Sequence, residues 1–570
     1  MGISLRLGLC VALMLLASHP SQAASNLVLV NGHIYTANPK APWAEAIAIN
    51  GSHIEAVGSS SVVRKAAAKG AVVVDLKGKT VIPGIIDGHV HTLYGSLELH
   101  GLNLSTPERA LTPEKKDEFI AALKRFATDH PGDKVLFARA DFSTVPPTTP
   151  PHEFLDQAVS DRPLVVHNVS EHAVWINAAA IKLAGLNDYP VSDPAEEKGV
   201  MRDASGHPTG VLLEAAQQIA ARAVDPLLTL DEKLAMLRDG MHYLNSYGIT
   251  SVVNATGSLA EIKLYGALRD RGELTVRTRT SFGDVAVPHQ MTPEFLAQLE
   301  EARHQYHDEW VSANLVKFFA DGSSGLIPPL VYEPHAYQQM IIDLDKRGFQ
   351  IMTHAIREDS VHMVLDAYQA LEQSNGQRDR RLRIEHLDLL RREDEPRFAQ
   401  LHVTPEMQPS FCCSGDGLNL DPSNTLPVDR WNSLLKADAK LAFSSDWPCT
   451  WPPSPFVAME ESVRRDAWLS QDTQNIPGEA LDGGAQSGAR KTGNIVSPEE
   501  RITIQQAVDA YTRQSAFATF SDSWAGTLEP GKLADLVVLS QDIFSVPSEK
   551  ISQTRVLQTM VGGKTVYHAD

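Results

Sequence analysis

The sequence predicts an α/β fold: a (β/α)8 barrel with an inserted subdomain and with β-rich segments at both chain ends. Short β-type runs alternate with longer helical patterns through the central region, which is typical of parallel α/β sheets. Both chain ends hold short β-rich runs with no helical period. The interval of about 95–245 between two successive central runs is too long for one connecting helix,. We therefore expect a barrel whose mouth is covered by an inserted subdomain with its own helical segments.

Eight runs account for the barrel strands. They are Val81–Ile86, Ile249–Val253, Val276–Ser281, Leu315–Ala320, Phe349–Met352, Leu382–Ile384, His402–Met407 and Leu441–Ser444. Eight parallel strands with helices outside form a closed barrel, and such a barrel carries its functional residues at the carboxyl ends of the strands. The side chains at the ends of these runs are therefore the first candidates for a functional site.

The β-rich runs at the two chain ends require a partner sheet. Residues 26–80 hold four such runs, separated by Gly, Asn and Pro, which predicts a small antiparallel sheet. From residue 525 the tail repeats the pattern in Leu533–Leu539, Thr554–Val561 and Lys564–Tyr567.

The first 23 residues predict a secretory signal peptide. Arg6 gives a thin positive region, Leu7–Ala17 form an apolar core, and small residues near Ala23 offer a cleavage site,. We expect an exported protein, periplasmic or secreted, with a fortuitous apolar start as the alternative. The apolar core is too short to span a membrane, and no other run of about 18 uninterrupted apolar residues is present,.

Composition restricts the class of partner. The chain has 570 residues, of which 43% are hydrophobic and 21% are charged, which is typical of a soluble globular protein of two or three domains. Its net charge of -19 repels phosphate backbones and argues against nucleic acid as a partner. We expect a small-molecule substrate and no membrane span, while the oligomeric state is left open.

Cysteine usage excludes a metal site built from four thiolates. Cys412, Cys413 and Cys449 remain once Cys10 leaves with the signal peptide,. An oxidising compartment would permit a disulfide from Cys449 to Cys412 or Cys413. Buried free thiols are an equally good interpretation.

The pair His89 and His91 closes an apolar run that ends in Asp-Gly. Residues i and i+2 of a strand share a face, so both imidazoles can reach one cation. With 21 histidines in 570 residues, chance alone gives roughly 0.8 such pairs, so the spacing by itself proves little. The position of the pair at the end of a buried strand is what indicates a metal site.

Four more side chains at or near the ends of predicted strands complete the candidate metal site. They are Lys317, His354, His386 and Asp446. A single strand-end histidine is more often a core residue than a ligand, but joint placement at one rim favours ligation. Lys317 lies in an apolar run, where a charged amine is costly unless it is paired, neutral or modified. An outward, snorkelling Lys317 and a turn or N-cap role for Asp446 are the alternatives.

These residues resemble the amidohydrolase superfamily, and more narrowly the amidohydrolase 3 (YtcJ-like) family. The resemblance extends over nearly the whole chain after the signal peptide. Its most specific motifs are Val81-Ile-Pro-Gly-Ile-Ile-Asp-Gly-His-Val-His, Val316-Lys-Phe-Phe-Ala-Asp-Gly, Arg383-Ile-Glu-His, Ser444-Ser-Asp-Trp-Pro and Gly526-Thr-Leu-Glu-Pro-Gly-Lys-Leu-Ala-Asp-Leu-Val-Val-Leu.

The resemblance implies a distorted, TIM-like (β/α)8 barrel over residues 81–524, beside a small β-sandwich built from residues 24–80 and 525–570. It also implies a divalent metal centre of one or two ions, with zinc expected and with Lys317 carbamylated as a bridging ligand. A metal-activated water would attack a carbonyl, and Asp446 would transfer the proton to the leaving nitrogen.

The residues after His354 depart from the family pattern. The family continues Ala-Ile-Gly-Asp, whereas this chain has Arg357-Glu-Asp after Ala-Ile. Arg357 is a candidate contact for an anionic substrate group, with ordinary solvation as the alternative. His172 and Trp447 are candidates for the wall of the substrate cavity, with core packing an equal account of both.

The predicted function is an exported metal-dependent hydrolase of a non-peptide C–N bond in an amide, N-acyl or N-formyl group. Two alternatives remain. The same centre would also hydrolyse a lactone or ester, and a catalytically idle regulatory protein would keep the metal as a structural element. A closed structural site has no need of an open water position or of Asp446, which favours the enzyme.

Overall fold

A computed structural model describes residues 27–67, 69–105, 111–142, 150–169, 172–187, 191–283, 291–321, 331–411, 429–465 and 497–569. The predicted signal peptide, Cys412 and Cys413 lie outside the described residues. Within these ranges, no helix is both long enough and apolar enough to cross a membrane.

The elements are numbered along the chain. The N-terminal segment contains β1 (Leu27–Val30), β2 (His33–Tyr35), β3 (Trp43–Ala44), β4 (Ala46–Asn50), β5 (His53–Gly58), α1 (Ser60–Ala66), β6 (Val72–Asp75) and β7 (Thr80–Pro83). The next segment contains β8 (Ile85–Val90), α2 (Thr92–Leu99), β9 (Leu102–Leu104), α3 (Lys116–Asp129), β10 (Leu136–Ala140), α4 (Pro151–Asp156), β11 (Leu164–Asn168), β12 (Ala173–Ile176), α5 (Ala178–Leu183), α6 (Pro194–Gly199), β13 (Val200–Arg202), β14 (Pro208–Leu213) and α7 (Gln217–Val224). Then follow α8 (Leu230–Ser246), β15 (Ile249–Gly257), α9 (Leu259–Asp270), β16 (Arg277–Phe282), α10 (Pro293–Gln305), β17 (Val311–Phe319), α11 (Pro334–Lys346), β18 (Gln350–Ala355), α12 (Glu358–Asn375), β19 (Arg383–His386), α13 (Glu395–Gln400), β20 (Thr404–Met407), α14 (Trp431–Lys436) and β21 (Ala442–Phe443). The last segment contains α15 (Pro455–Arg464), α16 (Ile504–Asp509), α17 (Ser515–Ala518), β22 (Leu536–Leu539), β23 (Val556–Val561) and β24 (Lys564–His568).

The predicted barrel is confirmed. Strands β8 and β15 to β21 form one eight-stranded sheet in the order β21-β20-β19-β18-β17-β16-β15-β8, and each neighbouring pair is parallel. The two end strands meet through hydrogen bonds just beyond them, from Asp446 N to His89 O at 2.8 Å and from His91 N to Trp447 O at 2.7 Å. The barrel is therefore nearly closed. The same bonds hold Asp446 beside His89 and His91, and all three are predicted ligands.

The prediction that Val81–Ile86 forms one strand, the first of the barrel, is wrong. The run divides at Gly84 into β7, which pairs with β2 and β22 in a terminal sheet, and β8, which pairs with β15 in the barrel. A Cβ on Gly84 would lie 2.3 Å from Thr250 Oγ1. Glycine is therefore needed at position 84, where the chain passes from one sheet to the other, because the beginning of β15 packs against that position.

Both chain ends contribute to one core beside the barrel. Two sheets lie there, with strand orders β5-β4-β1-β6 and β24-β23-β22-β7-β2-β3. Leu29 and Ile34 from the beginning of the chain share a buried cluster with Leu536 and Val538 from its end. The antiparallel sheet predicted for residues 26–80 is wrong in detail, since β1 pairs with β6 and β2 with β7 in parallel.

The segment between β8 and β15 holds a sheet that the helical reading of the sequence missed. Its six strands run in the order β13-β14-β12-β11-β10-β9. Arg139 of β10 donates to the carbonyl oxygen of Cys449 at 3.4 Å, so this subdomain contacts the loop after Asp446. Helix α8 lies inside the predicted insert but buries Leu234, Leu237 and Met241 in the barrel core, so it is one of the barrel's own helices.

Candidate metal centre

The barrel brings the six predicted ligands to one end of its strands. His89 lies in β8, Lys317 in β17, His354 in β18 and His386 in β19, while His91 follows β8 and Asp446 follows β21. All but the partly exposed His91 are buried. Burial of this set is costly unless the groups are paired or hold an ion.

Short distances link the members of this cluster. Asp446 Oδ1 lies 3.1 Å from His91 Nε2 and 3.5 Å from His89 Nε2. Lys317 Nζ lies 3.2 Å from His89 Nε2. The ring of His386 has its centroid 4.9 Å from that of His89, and the ring of His354 lies 4.5 Å from that of His386.

The tautomer of His89 is set by a buried carboxylate. His89 Nδ1 lies 2.6 Å from Glu385 Oε2, and Arg383 donates to both oxygens of Glu385 at 3.0 and 2.9 Å. Because the carboxylate accepts, His89 carries its proton on Nδ1 and presents the lone pair of Nε2 to the cluster. A carboxylate behind a metal-binding histidine fixes the ring in this way and raises its basicity.

An amide performs the same task for His386. His386 Nδ1 lies 2.8 Å from Gln408 Oε1, and Gln408 Nε2 donates to Ser444 Oγ at 2.9 Å. In this arrangement the amide oxygen of Gln408 accepts from His386 Nδ1,. The Nε2 lone pair of His386 is therefore also free to bind an ion.

His354 faces a carboxylate through Nε2, whereas His89 and His386 contact their partners through Nδ1. His354 Nε2 lies 3.2 Å from Asp321 Oδ1, and Asp321 accepts hydrogen bonds from the backbone N–H groups of Ile356 and Arg357. Burial opposes ionisation of Asp321, but its contact with His354 and the bonds from Ser360 and Arg357 outweigh burial and lower its pKa. Ionised Asp321 leaves Nδ1 of His354 as the nitrogen available for a ligand.

Burial keeps the imidazoles of His89 and His386 neutral. Desolvation, with the neighbouring Lys317 charge contributing, holds the pKa of His89 and His386 well below the usual value. Burial also lowers the pKa of Lys317 to about 8, against the opposing charges of Glu385 and Asp446. Neutral imidazoles are the form that binds a metal ion.

The donor atoms fit a divalent cation. Donor atoms of His89, His386 and Asp446 all lie within 4.8 Å of one another. Ligands at 2.0–2.1 Å around a tetrahedral ion are separated by roughly 3.4 Å, which the 3.5 Å between His89 Nε2 and Asp446 Oδ1 matches. Asp446 Oδ1 is buried and makes no hydrogen bond among the described residues, and an ion would satisfy it.

Beneath the cluster lies a charged network that the sequence analysis missed. Arg383, Glu385 and Glu406 are fully buried, and Arg383 Nη2 lies 3.4 Å from Glu406 Oε2 and donates to the carbonyl of Gly88 at 2.7 Å. Burial raises the pKa of Glu406 to about 8, although Arg383 opposes the shift. Burial also raises the pKa of Glu385, against the opposing charge of Arg383, and the two hydrogen bonds from Arg383 make Glu385 the closer of the two carboxylates to the guanidinium.

Gly88→Ala is expected to destabilise this network. A Cβ there would lie 2.2 Å from Glu406 Oε1 and 2.5 Å from its Cδ, and Glu406 has no solvent into which it can retreat. Overpacking of a core costs about 1–3 kcal/mol, measured as the free energy of unfolding in urea. The control is Gly132→Ala, because a Cβ on the exposed Gly132 would meet nothing within 4 Å. Equal stability of the two variants would contradict this account.

The three predicted substrate contacts have different surroundings. His172 lies beside the cluster, with its ring centroid 6.3 Å from that of His354 and its Nδ1 2.8 Å from Glu214 Oε2. Arg357 is partly exposed at the start of α12. Trp447 is fully buried, and a Cβ on Gly95 would lie 2.5 Å from its ring. This burial favours core packing for Trp447, and its contact with substrate stays a prediction.

The structure also bears on the alternative roles considered for Lys317 and Asp446. Lys317 is 1% exposed, which excludes an outward, snorkelling side chain. The backbone carbonyl of Asp446 accepts a hydrogen bond from Cys449 N at 2.7 Å, so Asp446 forms a turn as well as facing the histidines.

Cys449 is partly buried, and the disulfide stays a prediction because its proposed partners lie outside the described residues.

Sequence reasoning missed the groups that orient the ligands. Glu385 and Asp321 stood inside motifs already quoted, as the residue before His386 and as the aspartate after Phe-Phe-Ala. A charged residue in an otherwise buried run was the available signal. Gln408 gave no such signal, because an amide after a strand is common on protein surfaces.

Comparison with known proteins agrees with the fold. A solved structure of an uncharacterised metal-dependent hydrolase from Pyrococcus horikoshii OT3 superimposes with a TM-score of 0.69 at 21% identity, covering 92% of this chain and 99% of that chain. The family model described as "Amidohydrolase family" matches residues 72–567. The chain belongs to this family, and the resemblance inferred from its motifs is confirmed.

Two curated relatives match over nearly their full length. One is the protein LONG AFTER FAR-RED 3 of Arabidopsis thaliana, which is 29% identical over 96% of this chain and 92% of its own. The other is an N-substituted formamide deformylase of Arthrobacter pascens, 26% identical over 95% of this chain and 98% of its own.

Proposed function

We propose that the protein is a metal-dependent amidohydrolase that cleaves a non-peptide C–N bond in an amide, N-acyl or N-formyl group. One observation carries the proposal: His89 and His386 direct lone pairs, set by their own hydrogen-bond partners, towards a buried carboxylate oxygen of Asp446 that no donor in the described part of the chain satisfies. A surface ion pair or a core histidine needs no such arrangement. The family match supports the same class of activity.

Asp446 is the proposed proton carrier. A divalent cation at this site would lower the pKa of a water molecule from 15.7 towards about 7 and polarise a substrate carbonyl. Asp446 Oδ1 accepts the proton of the attacking water and delivers it to the leaving nitrogen, because an amide does not readily expel an unprotonated amine. Its distance of 3.1 Å from His91 Nε2 keeps the carboxylate aimed into the cluster.

Lys317 is proposed to act as a carbamate. As an ammonium it lies 3.2 Å from His89 Nε2, where its charge opposes a cation and its proton competes for the ligating lone pair. With a pKa of about 8, a fraction of the amine is neutral near pH 7 and is able to react with carbon dioxide. Addition of carbon dioxide to the neutral amine forms an N–C bond and releases one proton, and the resulting carbamate would supply two oxygens able to bind the metal.

Zinc is the proposed metal. Imidazole nitrogens with carboxylate oxygens form the ligand set of catalytic zinc sites. The other proposed ligands, His91 and His354, lie at the edge of the same cluster and would complete a site for one or two ions. His172 is proposed to contact the substrate, because it lies beside His354 on the subdomain that contacts the barrel mouth.

The proposal is tested by removing and restoring the metal. Purified protein is analysed for metal, treated with a chelator, and reloaded with zinc in the presence of bicarbonate. An N-substituted formamide, an N-acyl amino acid, a lactone and an ester are then offered as substrates. We expect hydrolysis of the formamide or the N-acyl compound, loss of that activity on chelation, and recovery with zinc. Full activity without metal would refute the metal role, and turnover of only the lactone or ester would replace the proposed bond.

Export is proposed as well, on the leader over residues 1–23. Edman sequencing of the protein from its native source is expected to begin near residue 24. An intact N-terminus there would argue against export.

A further inference from the structure

A cavity lies at the amino-terminal end of the barrel strands, opposite the candidate metal centre. The cavity is about 520 Å³ in volume, within the roughly 300–1,000 Å³ range of ligand sites. Its walls include Arg279 of β16 and Asn314 of β17, with Trp310, Phe520 and Trp524. In barrels of this type the amino-terminal end usually serves stability, so a cavity with a cationic wall there needs its own explanation.

We infer that this cavity binds a small organic carboxylate, whose charged group pairs with Arg279 and whose apolar body lies against the aromatic wall. The reason begins with Arg279 itself. Its only hydrogen-bond partner in the described chain is Asn314 Oδ1, at 2.7 Å from Nη1. Asn314 is neutral, so it satisfies one donor and leaves the charge of the guanidinium uncompensated.

No neighbouring carboxylate among the described residues neutralises Arg279. Asp308 lines the same cavity, but it accepts from Arg269 at 2.7 Å and from the backbone N–H groups of Trp310 and Val311. Glu309 lies 3.9 Å from Arg277. Burial, with the charges of Arg383 and Arg381, lowers the pKa of Arg279 to about 10. It remains a cation at neutral pH, in surroundings that would favour an anion.

A second polar group without a partner among the described residues lies next to this cavity. Ser251 Oγ is buried and has no hydrogen-bond partner among the described residues. It lines a small cavity of about 30 Å³ that also includes Arg279, so the two cavities adjoin at that side chain. A carboxylate has two acceptor oxygens, and it satisfies the guanidinium and the hydroxyl together.

The aromatic wall sets the class of ligand. Trp310 and Trp524 already lie over the guanidinium of Arg277, at 4.3 and 5.6 Å, which holds both rings in place at this end of the barrel. Inorganic phosphate would satisfy Arg279 but has no apolar part to lie against the aromatic wall. A compact carboxylate with an aromatic or aliphatic body uses both parts of the cavity.

Isothermal titration calorimetry with benzoate tests the inference, with the neutral isostere benzamide and inorganic phosphate as comparison ligands. The metal-loaded protein is expected to bind benzoate at one site that chelation of the metal does not affect. Benzamide and phosphate are expected to bind at least about tenfold more weakly, since each lacks one of the two interactions.

Two variants locate the site. Arg279→Gln is expected to weaken benzoate binding by about tenfold or more. Asn314→Asp places a carboxylate against Arg279 inside the protein, so it is expected to abolish binding while keeping or raising the thermal stability, and it decides the question even if Arg279→Gln fails to fold. Arg271→Gln, at an exposed arginine paired with Asp231, is the control and should bind normally. Benzoate binding that both cavity variants retain, or that disappears on chelation, would overturn the inference, as would no binding at all.

Discussion

Asp446→Asn is expected to lower kcat/KM for the accepted amide or formamide by about 10²- to 10⁴-fold, the usual contribution of a general acid–base residue. Asparagine has the same shape but carries no proton between water and leaving group. It also retains one oxygen that would still face His91 and His89. The metal content is therefore expected to fall far less than the rate, and both are measured on the same preparation.

A matched control for this variant is present in the chain. Asp438 adopts a left-handed backbone conformation, as Asp446 does, with φ of 65° and 56° respectively, but Asp438 is exposed on the surface. Asp438→Asn thus repeats the chemical change in the same backbone conformation away from the cluster, and it should leave the rate unchanged. Full activity in Asp446→Asn would remove that carboxylate from its proposed role.

Arg383→Met is expected to destabilise the protein by about 3–5 kcal/mol, because it leaves a buried carboxylate without its counter-charge. Arg383 is fully buried and donates to both oxygens of Glu385. The same carboxylate orients His89, so loss of the arginine should also weaken metal binding. The free energy of unfolding in urea and the zinc content after dialysis are the two measurements.

The corresponding control is Arg271→Met, which removes an exposed ion pair with Asp231. Exposed pairs contribute about 0–1 kcal/mol, so this variant should remain close to the wild-type stability and keep its metal. If Arg383→Met retained both stability and zinc, the network under the cluster would have no role in holding His89.

The sequence was sufficient to predict the barrel and the placement of six polar side chains at one end of it, because both follow from local patterns. Buried β-type runs separated by helical patterns identify the strands, and a polar side chain at the end of such a run is visible without any knowledge of its partner. His354 and His386 show this, as each ends a short β-type run. Their convergence follows from the parallel arrangement of the strands.

The remaining features depend on contacts between distant parts of the chain. Nothing near Gly84 shows that β7 and β8 belong to different sheets, since the reason is the side chain of Thr250. The sequence allowed Trp447 to line a cavity or to pack in the core, and only the structure shows that it is fully buried beside Gly95. The partnership of Glu385 with His89 spans 296 positions and has no local signature.

The closure of the barrel has a consequence for the order of events during synthesis. The hydrogen bond from Asp446 N to His89 O joins the first strand of the barrel to the segment just after its last strand. This junction, the seam of the barrel, also places the carboxylate of Asp446 beside the histidines. A nascent chain released only as far as residue 440 has every histidine of the cluster but neither the seam nor the carboxylate. An ion held by the proposed ligand set would gain its carboxylate ligand only when the barrel closes, so its tight binding would follow barrel closure.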